Sequence, residues 1–410
     1  MTSTAGKPVL VARGVVLLGP AFVASIAYVD PGNVAANLTG GARYGYLLIW
    51  VLVAANLMAG LVQYQSAKLG LVSGRSLPEM LGERLKTGPR RLFWVQAELV
   101  AAATDLAEII GGAIALNLLF GLPLFAGGLI VGAVSMGMLA VQSRYGQRPF
   151  ELMIIALLAI IAIGFLAGLF INPPDGGAMV NGLLPRFDGA DSVLLSAGML
   201  GATVMPHAIY VHSALARDRH GHVTRPDARR LILRATRWDV VIALGIAGIV
   251  NIGMLLLAAV NLRHIAGTDT IAGAHSAIAA SLGPGIALVF AIGLLTSGLA
   301  STSVGCYAGA TIMAGLFKRR VPVFVRRVIT LLPAVALLGA GIDPTLALVV
   351  SQVFLSFGIP FALIPLMRLT GDRSVMGEQV NTRKMRFALG LIVLLVVALN
   401  LSLIGLTIWG

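Results

Sequence analysis

Long apolar segments separated by short polar stretches run through the whole chain. Eleven of them approach or exceed the length of about 20 residues that crosses the hydrocarbon core of a bilayer as a helix. They cover residues 12–37, 45–70, 92–120, 122–141, 150–171, 192–214, 239–262, 284–315, 322–341, 344–368 and 385–409. Residues 271–281 add a short amphipathic helix before the eighth segment. The pattern predicts an all-α integral membrane protein with eleven transmembrane helices, whose single domain covers residues 1–410.

The composition supports a membrane-embedded chain. Hydrophobic residues make up 58% of the sequence and charged residues 11%, and the mean hydropathy is +0.91. Soluble domains contain about 25% charged residues, so two or three soluble domains are excluded. The single cysteine, Cys306, lies inside an apolar segment, which excludes a disulfide framework and a cysteine-based zinc site.

The basic residues predict how the chain lies in the membrane. The formal charge of +13 comes from Lys and Arg clustered between apolar segments, which is typical of a cytoplasmic membrane surface rather than of a nucleic-acid-binding protein. With the N-terminus inside, only Arg43, Arg186 and Arg263 of the 30 basic residues lie outside. We therefore expect a multi-pass protein of the cell (inner or plasma) membrane, with a cytoplasmic N-terminus and an extracytoplasmic C-terminus. Residues 1–27 also fit a cleaved signal peptide, but the segments that follow favour a first transmembrane helix.

Two of the segments contain helix breakers in matching places. Asp30-Pro31-Gly32-Asn33 interrupts the first segment, and Met205-Pro206-His207 interrupts the sixth after Gly201-Ala202-Thr203. Five helices separate the two breaks, which predicts two inverted halves, residues 12–171 and 192–368, with the helix 385–409 appended. Paired interrupted helices are the sequence feature that points most directly to the substrate site of a transporter.

The side chains at the breaks suggest a metal ion. A broken helix in lipid leaves backbone groups unpaired at a cost of several kcal/mol each, unless an ion or substrate binds there. Asp30 offers a carboxylate, Asn33 an amide oxygen and Met205 a thioether, and the carbonyls of Ala27 and Ala202 precede the breaks. Oxygen with a soft sulfur suits Mn²⁺, Fe²⁺ or Co²⁺ better than Ca²⁺ or Mg²⁺.

Each of these residues alone has an ordinary structural explanation. Pro31 and Pro206 are compatible with simple kinks, Met205 with a gap-filler in the core, and His207 with a hydrogen-bonded core histidine. Asp30 is harder to explain structurally, because carboxylates inside a membrane segment are rare and usually functional. The combination indicates a site.

The two breaks resemble the paired signatures of the Nramp family (natural resistance-associated macrophage proteins), which are divalent-metal/proton symporters. The stretches 103–112 in the third segment and 351–365 in the tenth are also similar to the family. The resemblance implies a LeuT-like fold and inward transport by alternating access of Mn²⁺ or Fe²⁺, and also of Cd²⁺ and Co²⁺, with H⁺. It implies no cofactor beyond the transported ions and no requirement for an oligomer.

The resemblance also implies roles for individual residues. Asp30, Asn33 and Met205 would bind the metal through their side chains, Ala27 and Ala202 through their carbonyls, and Gln352 in some conformations. Family relatives that move Mg²⁺ lack the methionine, so Met205 favours a transition metal. One departure is Ala208, where many relatives have asparagine.

A second group of residues suggests proton transfer. Asp105 and Glu108 are three residues apart in the third segment and share a helix face, and Arg326 and Arg327 open the ninth segment. The arginines could equally belong to the basic cluster of Lys318, Arg319 and Arg320, and the acids could form a structural ion pair. By resemblance to the family, these residues and Glu98 form the proton exit, and Asp30 and His207 the entrance.

Two other functions stay open. A transporter of the same architecture could carry an amino acid or another organic substrate with Na⁺, although it would not need the Asp, Asn and Met set. A membrane metalloenzyme would need a general base beside an activated water, and the sequence contains no HExxH, Walker A or nucleophile-elbow motif.

Overall fold

The computed structural model describes residues 17–223, 225–318 and 323–409. Nearly all of them lie in helices, which we number in chain order: α1 Pro20–Ser25, α2 Pro31–Tyr44, α3 Ile49–Ser73, α4 Leu77–Arg84, α5 Thr87–Phe120, α6 Leu124–Tyr145, α7 Gln147–Ile171, α8 Gly176–Asn181, α9 Gly189–Thr203, α10 Pro206–His220, α11 Pro226–Asn261, α12 Ile271–Leu282, α13 Pro284–Ile312, α14 Val323–Gly339, α15 Pro344–Thr370, α16 Arg373–Met376 and α17 Arg383–Trp409. Two 3₁₀ turns, Ile26–Val29 and Gly377–Gln379, follow α1 and α16, and a π-helical turn, Met313–Phe317, follows α13.

Nine helical stretches within the described ranges are long and apolar enough to cross a membrane. They correspond to nine of the eleven predicted segments, with α9 and α10 together forming the sixth. The first predicted segment begins at residue 12, outside the described ranges, and its described part is divided between Pro20–Val29 and α2. The ninth begins at residue 322, also outside these ranges, and its apolar described part is Val328–Gly339. The short helix predicted at 271–281 is confirmed as α12.

Some helix boundaries differ from the prediction. Helix α11 begins at Pro226 rather than at 239, because a proline is favoured in the first helical turn and no helix breaker follows it. Helix α4 lies in a stretch that the hydrophobic pattern left as a loop. Its start is a capping box, in which Ser76 N–H donates to Glu79 Oε2 at 2.8 Å and Glu79 N–H donates to Ser76 Oγ at 3.4 Å.

Glycines allow the helices to approach closely. A Cβ on Gly164 of α7 would lie 2.7 Å from Cα of Gly293 in α13, and a Cβ on Gly298 would lie 2.9 Å from the backbone nitrogen of Gly112 in α5. Small residues at such crossings let backbones pack together where no hydrophobic effect drives helices together. The broken helices thus sit in a tightly packed bundle.

The N-terminal end of α1 is capped by a residue far along the chain. The backbone N–H groups of Gly19 and Ala21 donate to the two carboxylate oxygens of Asp239 in α11, at 3.0 and 2.9 Å. Arg148 of α7 donates to the carbonyl of Leu18 at 2.5 Å and forms an ion pair with the buried Glu151 at 3.1 Å. Helix α1 is therefore held at one end by α7 and α11.

Gly70→Ala should destabilise the protein, because the added Cβ would overlap the backbone carbonyl of Ser213 in α10. Forcing a methyl group into a packed interior typically costs about 1–3 kcal/mol. The thermal midpoint of the detergent-solubilised protein measures the effect. Gly60→Ala is the matched control, because Gly60 lies in the same helix and its nearest neighbour, Leu244 Cδ1, would be 4.0 Å from the new Cβ. Equal midpoints for the two variants would contradict the packing of α3 against α10.

Candidate functional site

The first break separates the 3₁₀ turn Ile26–Val29 from α2. Asp30 has an extended backbone with ψ 167°, and Pro31 occupies the first position of α2. Asp30 Oδ1 accepts a hydrogen bond from the backbone N–H of Asn33 at 2.7 Å. An aspartate followed by proline is a favoured helix start, so these residues end one helix and begin the next at the predicted position.

Side chains from distant helices bind the carbonyls freed at this break. Ser297 of α13 donates to the carbonyl of Val29 at 2.6 Å. Asn251 of α11 donates to the carbonyl of Tyr28 at 2.6 Å and accepts from Asn37 at 2.8 Å. These partners were not predicted from the sequence. The available signal was Asn251 itself, an amide side chain flanked by apolar residues in the middle of the seventh segment.

The second break separates α9 from α10. Helix α9 ends at Thr203, and Val204 and Met205 have ψ values of 64° and 122° before Pro206 starts α10. The Met205 side chain is fully buried. The second predicted break is therefore confirmed, with Met205 at the junction.

The two breaks meet at the side chain of Asn33. Its Nδ2 donates to Asp30 Oδ1 at 2.8 Å, to the carbonyl of Ala202 at 2.9 Å and to that of Ala27 at 3.5 Å. Three oxygens from both broken helices thus surround one partly positive group, as they would surround a cation. Within the described part of the chain, Asn33 Oδ1 has no hydrogen-bond partner. A half-turn of the amide would add it to the three oxygens.

Helix α15 packs against both breaks. The amide of Gln352 lies directly over Gly32, where any Cβ would overlap it, and the Gln352 carbonyl contacts Gly201 in the same way. Gln352 is fully buried. Gly111 of α5 makes a similar close contact with the ring of Pro31. The predicted residue Gln352 therefore lies beside the cluster, in a position that two glycines make possible.

The predicted proton-pathway residues on α5 lie together. The Asp105 and Glu108 carboxylates both approach Gly305 of α13, where an added Cβ would lie 3.0 Å from Asp105 Oδ1 and 2.8 Å from Glu108 Oε2. Both acids are fully buried. Thr104 Oγ1 lies 3.3 Å from His207 Nδ1. The residue preceding Asp105 thus contacts the histidine that follows the second break.

The remaining members of this group are described less completely. Glu98 is half-buried on α5. Arg326 and Arg327 lie in α14, but their side chains are outside the described part of the structure, as are residues 319 and 320. The pairing of the arginines with the acids stays a prediction.

Sequence comparisons agree with the resemblance. The family model described as natural resistance-associated macrophage protein-like (Nramp) matches residues 21–406. The divalent metal cation transporter MntH of Mycobacterium tuberculosis is 59% identical over 394 residues, which cover 96% of this chain and 92% of the relative. The protein of the same name from Deinococcus radiodurans is 45% identical over 402 residues, with 98% and 92% covered.

Solved structures agree on the fold. The Eremococcus coleocola manganese transporter superposes with a TM-score of 0.85 at 31% identity, over 98% of this chain and 88% of that one. Mhp1 in an inward-facing conformation gives a TM-score of 0.56 at 15% identity, over 95% and 91%. MhsT gives 0.60 at 13% identity, over 93% and 98%. The last two likenesses concern the fold alone, and together the three confirm the LeuT-like fold.

Asn33→Asp should destabilise the protein in the absence of metal and make it more responsive to added Mn²⁺. The change removes the donor that joins three oxygens and places a second carboxylate beside Asp30. A divalent cation would relieve this repulsion and stabilise the folded state by binding. The measurement is the thermal midpoint with and without Mn²⁺.

Asn37→Asp is the matched control for this variant. Asn37 is buried one turn further along α2 and bonds Asn251, so its substitution should also lower the midpoint, but Mn²⁺ should not restore it. Equal rescue of both variants would place the ion elsewhere.

Proposed function

Because this chain belongs to the Nramp family, we propose that it imports divalent transition-metal ions, Mn²⁺ and Fe²⁺ first and also Cd²⁺ and Co²⁺, together with H⁺. The observation that most directly supports this proposal is that Asp30, Asn33 and two backbone carbonyls come together where both helices break, with Met205 at the second break. The names of the relatives support a divalent cation, and the likeness to the Eremococcus coleocola manganese transporter supports manganese in particular.

The donor set supports a transition metal. The described residues contain no group of three His, Cys, Asp or Glu side chains that could hold an ion, so binding here depends on amide, carbonyl and thioether groups around one carboxylate. Asp30 offsets part of the charge of a dication, and the neutral donors replace its water. A site with one carboxylate and one sulfur suits a transition-metal ion that must be released after transport. A structural calcium site would instead contain several carboxylates.

Alternating access would act around this site. In the proposed mechanism the halves 12–171 and 192–368 move relative to each other, and the site at their junction opens to each side in turn. The distribution of basic residues supports a cytoplasmic N-terminus. Import would then carry the metal towards the face on which most of the arginines lie.

The rival function, Na⁺-coupled transport of an organic substrate, fits the site less well. Transporters that bind an amino acid at a broken helix offer its free N–H groups to the substrate carboxylate. Here Asp30 already accepts from the N–H of Asn33 and brings a negative charge of its own. The Asp30 carboxylate would repel an amino-acid carboxylate at this place. The likeness to Mhp1 and MhsT concerns the fold and does not favour this function.

Met205→Ala should change selectivity more than it changes Mn²⁺ transport. The thioether favours soft ions and withholds an oxygen that Ca²⁺ would need, whereas water can replace the sulfur for Mn²⁺. Loss of a residue that only orients a metal ligand commonly costs about 10–100-fold in affinity, so loss of a direct soft ligand should lower the apparent affinity for Cd²⁺ by at least about tenfold. Ca²⁺ should compete more strongly. The experiment measures Mn²⁺ and Cd²⁺ uptake into proteoliposomes at rising external Ca²⁺. No Mn²⁺ uptake by the wild type would reject the function, and unchanged exclusion of Ca²⁺ by the variant would reject the role of Met205.

Glu108→Gln should uncouple H⁺ from metal while leaving metal binding in place. Glu108 is buried beside Asp105 on α5, whereas Asp30 and Asn33 lie at the break before α2. Mn²⁺-driven acidification of proteoliposomes should fall towards the level of protein-free vesicles. Glu151→Gln is the control, because Glu151 is equally buried but pairs with Arg148 and Arg219. If Glu108→Gln retains the wild-type H⁺ flux and pH profile, the acids on α5 have a structural role only.

A further inference from the structure

A groove on the outer surface of the bundle lies away from the site. It has a volume of about 430 Å³ and runs between the end of α4, the start of α5 and the second half of α15. Its walls are apolar, with Leu85, Phe93, Phe361 and Ile364 among them. Phe361 is 47% exposed and meets the ring of Phe93 edge to face at 6.2 Å.

The groove is basic at one end only. Arg84 and Arg368 line the same cavity as the apolar residues. Both arginines stand close to helix ends, Arg84 at the end of α4 and Arg368 in the last turn of α15. Phe361 lies seven residues before Arg368 on α15, which is roughly 10 Å at 1.5 Å per residue. The groove therefore extends from a charged rim into the apolar part of the bundle.

The two arginines differ in their partners. Arg84 forms an ion pair with Asp372 at 3.1 Å, in which its side chain is 47% exposed. The pKa of Asp372 lies below its usual range, chiefly because the Ser374 hydroxyl donates to it, and Arg84 adds to the effect. Asp372 thus partly neutralises Arg84. Among the ion pairs of the described residues none includes Arg368, so its charge is available to an outside anion.

We propose that this groove binds an anionic phospholipid, with the phosphate at Arg368 and Arg84 and one acyl chain along the apolar wall. Basic pockets between transmembrane helices at the cytoplasmic surface are typical places for anionic headgroups. The charge complements a phosphate, and the wall below it matches a hydrocarbon chain that lies parallel to the helices. A free phosphate would use the rim but leave the wall uncovered.

Such a lipid would contact the helix that carries Gln352. Helix α15 contains two internal prolines, Pro360 and Pro365, which both line the groove. Each removes a backbone hydrogen bond from the helix and makes bending easier there. A bound acyl chain would support α15 at this weakened stretch against α4 and α5.

The test is native mass spectrometry of the detergent-purified protein with phosphatidylglycerol or phosphatidylcholine added. Wild type should retain phosphatidylglycerol in preference, and Arg368→Gln should weaken this retention roughly fivefold, the effect expected from one basic residue at an anionic membrane surface. Arg373→Gln is the matched control, because Arg373 is exposed nearby but does not line the groove. It should retain the lipid like the wild type.

A second pair of variants tests the acyl chain separately from the charge. Ile364→Trp should fill the groove and reduce phosphatidylglycerol retention with both arginines intact, whereas Leu394→Trp, at a 63% exposed position of α17, should not. Inorganic phosphate at the lipid concentration should not displace the lipid. Equal retention of the two lipids, equal loss in Arg368→Gln and Arg373→Gln, displacement by phosphate, or a lipid-free dimer in place of the lipid complex would each overturn the proposal.

Discussion

The need to satisfy backbone groups where no water is available governs this structure. Two helices are interrupted inside the bundle, and each interruption frees N–H and C=O groups that lipid cannot bind. The chain answers with side chains from other helices. Asn251 and Ser297 bind the carbonyls of the first break, and Asp30 binds an N–H at the start of α2. The backbone carbonyls of Ala27 and Ala202, which α11 and α13 do not bind, face the side chain of Asn33 instead.

Glycine residues allow other helices to approach the breaks and the acids of α5. Helix α15 reaches both breaks only because Gly32 and Gly201 have no side chain where Gln352 approaches. In the same way, the missing side chain of Gly305 lets α13 pack against the acids of α5. A side chain at any of these positions would push α15 away from the breaks or α13 away from the acids of α5. Polar groups and small residues therefore act together, the first by bonding and the second by allowing approach.

The sequence predicted the parts of this architecture that are local. Apolar length locates the long helices, and a proline after an aspartate or a methionine locates each break to the residue. The capping box at Ser76 was readable too, although the hydrophobic pattern overlooked α4. Contacts between distant positions were not readable, because nothing near Asn251 says that it meets Tyr28, 223 residues away. Helix α11 exceeded its predicted length because the membrane pattern marks apolar residues, whereas a helix continues through polar ones until something stops it.

The cap on α1 has a consequence for how this half-helix can move. Asp239 binds the N–H groups of Gly19 and Ala21 with one oxygen each. Any displacement of α1 from α11 would expose a carboxylate and two donors at once, and water or another polar group would have to replace their bonds. The half-helix would therefore leave its place more readily where water can enter behind it. Opening at this end of the molecule would thus be coupled to the entry of water, and a dry surrounding would favour α1 in its place against α11.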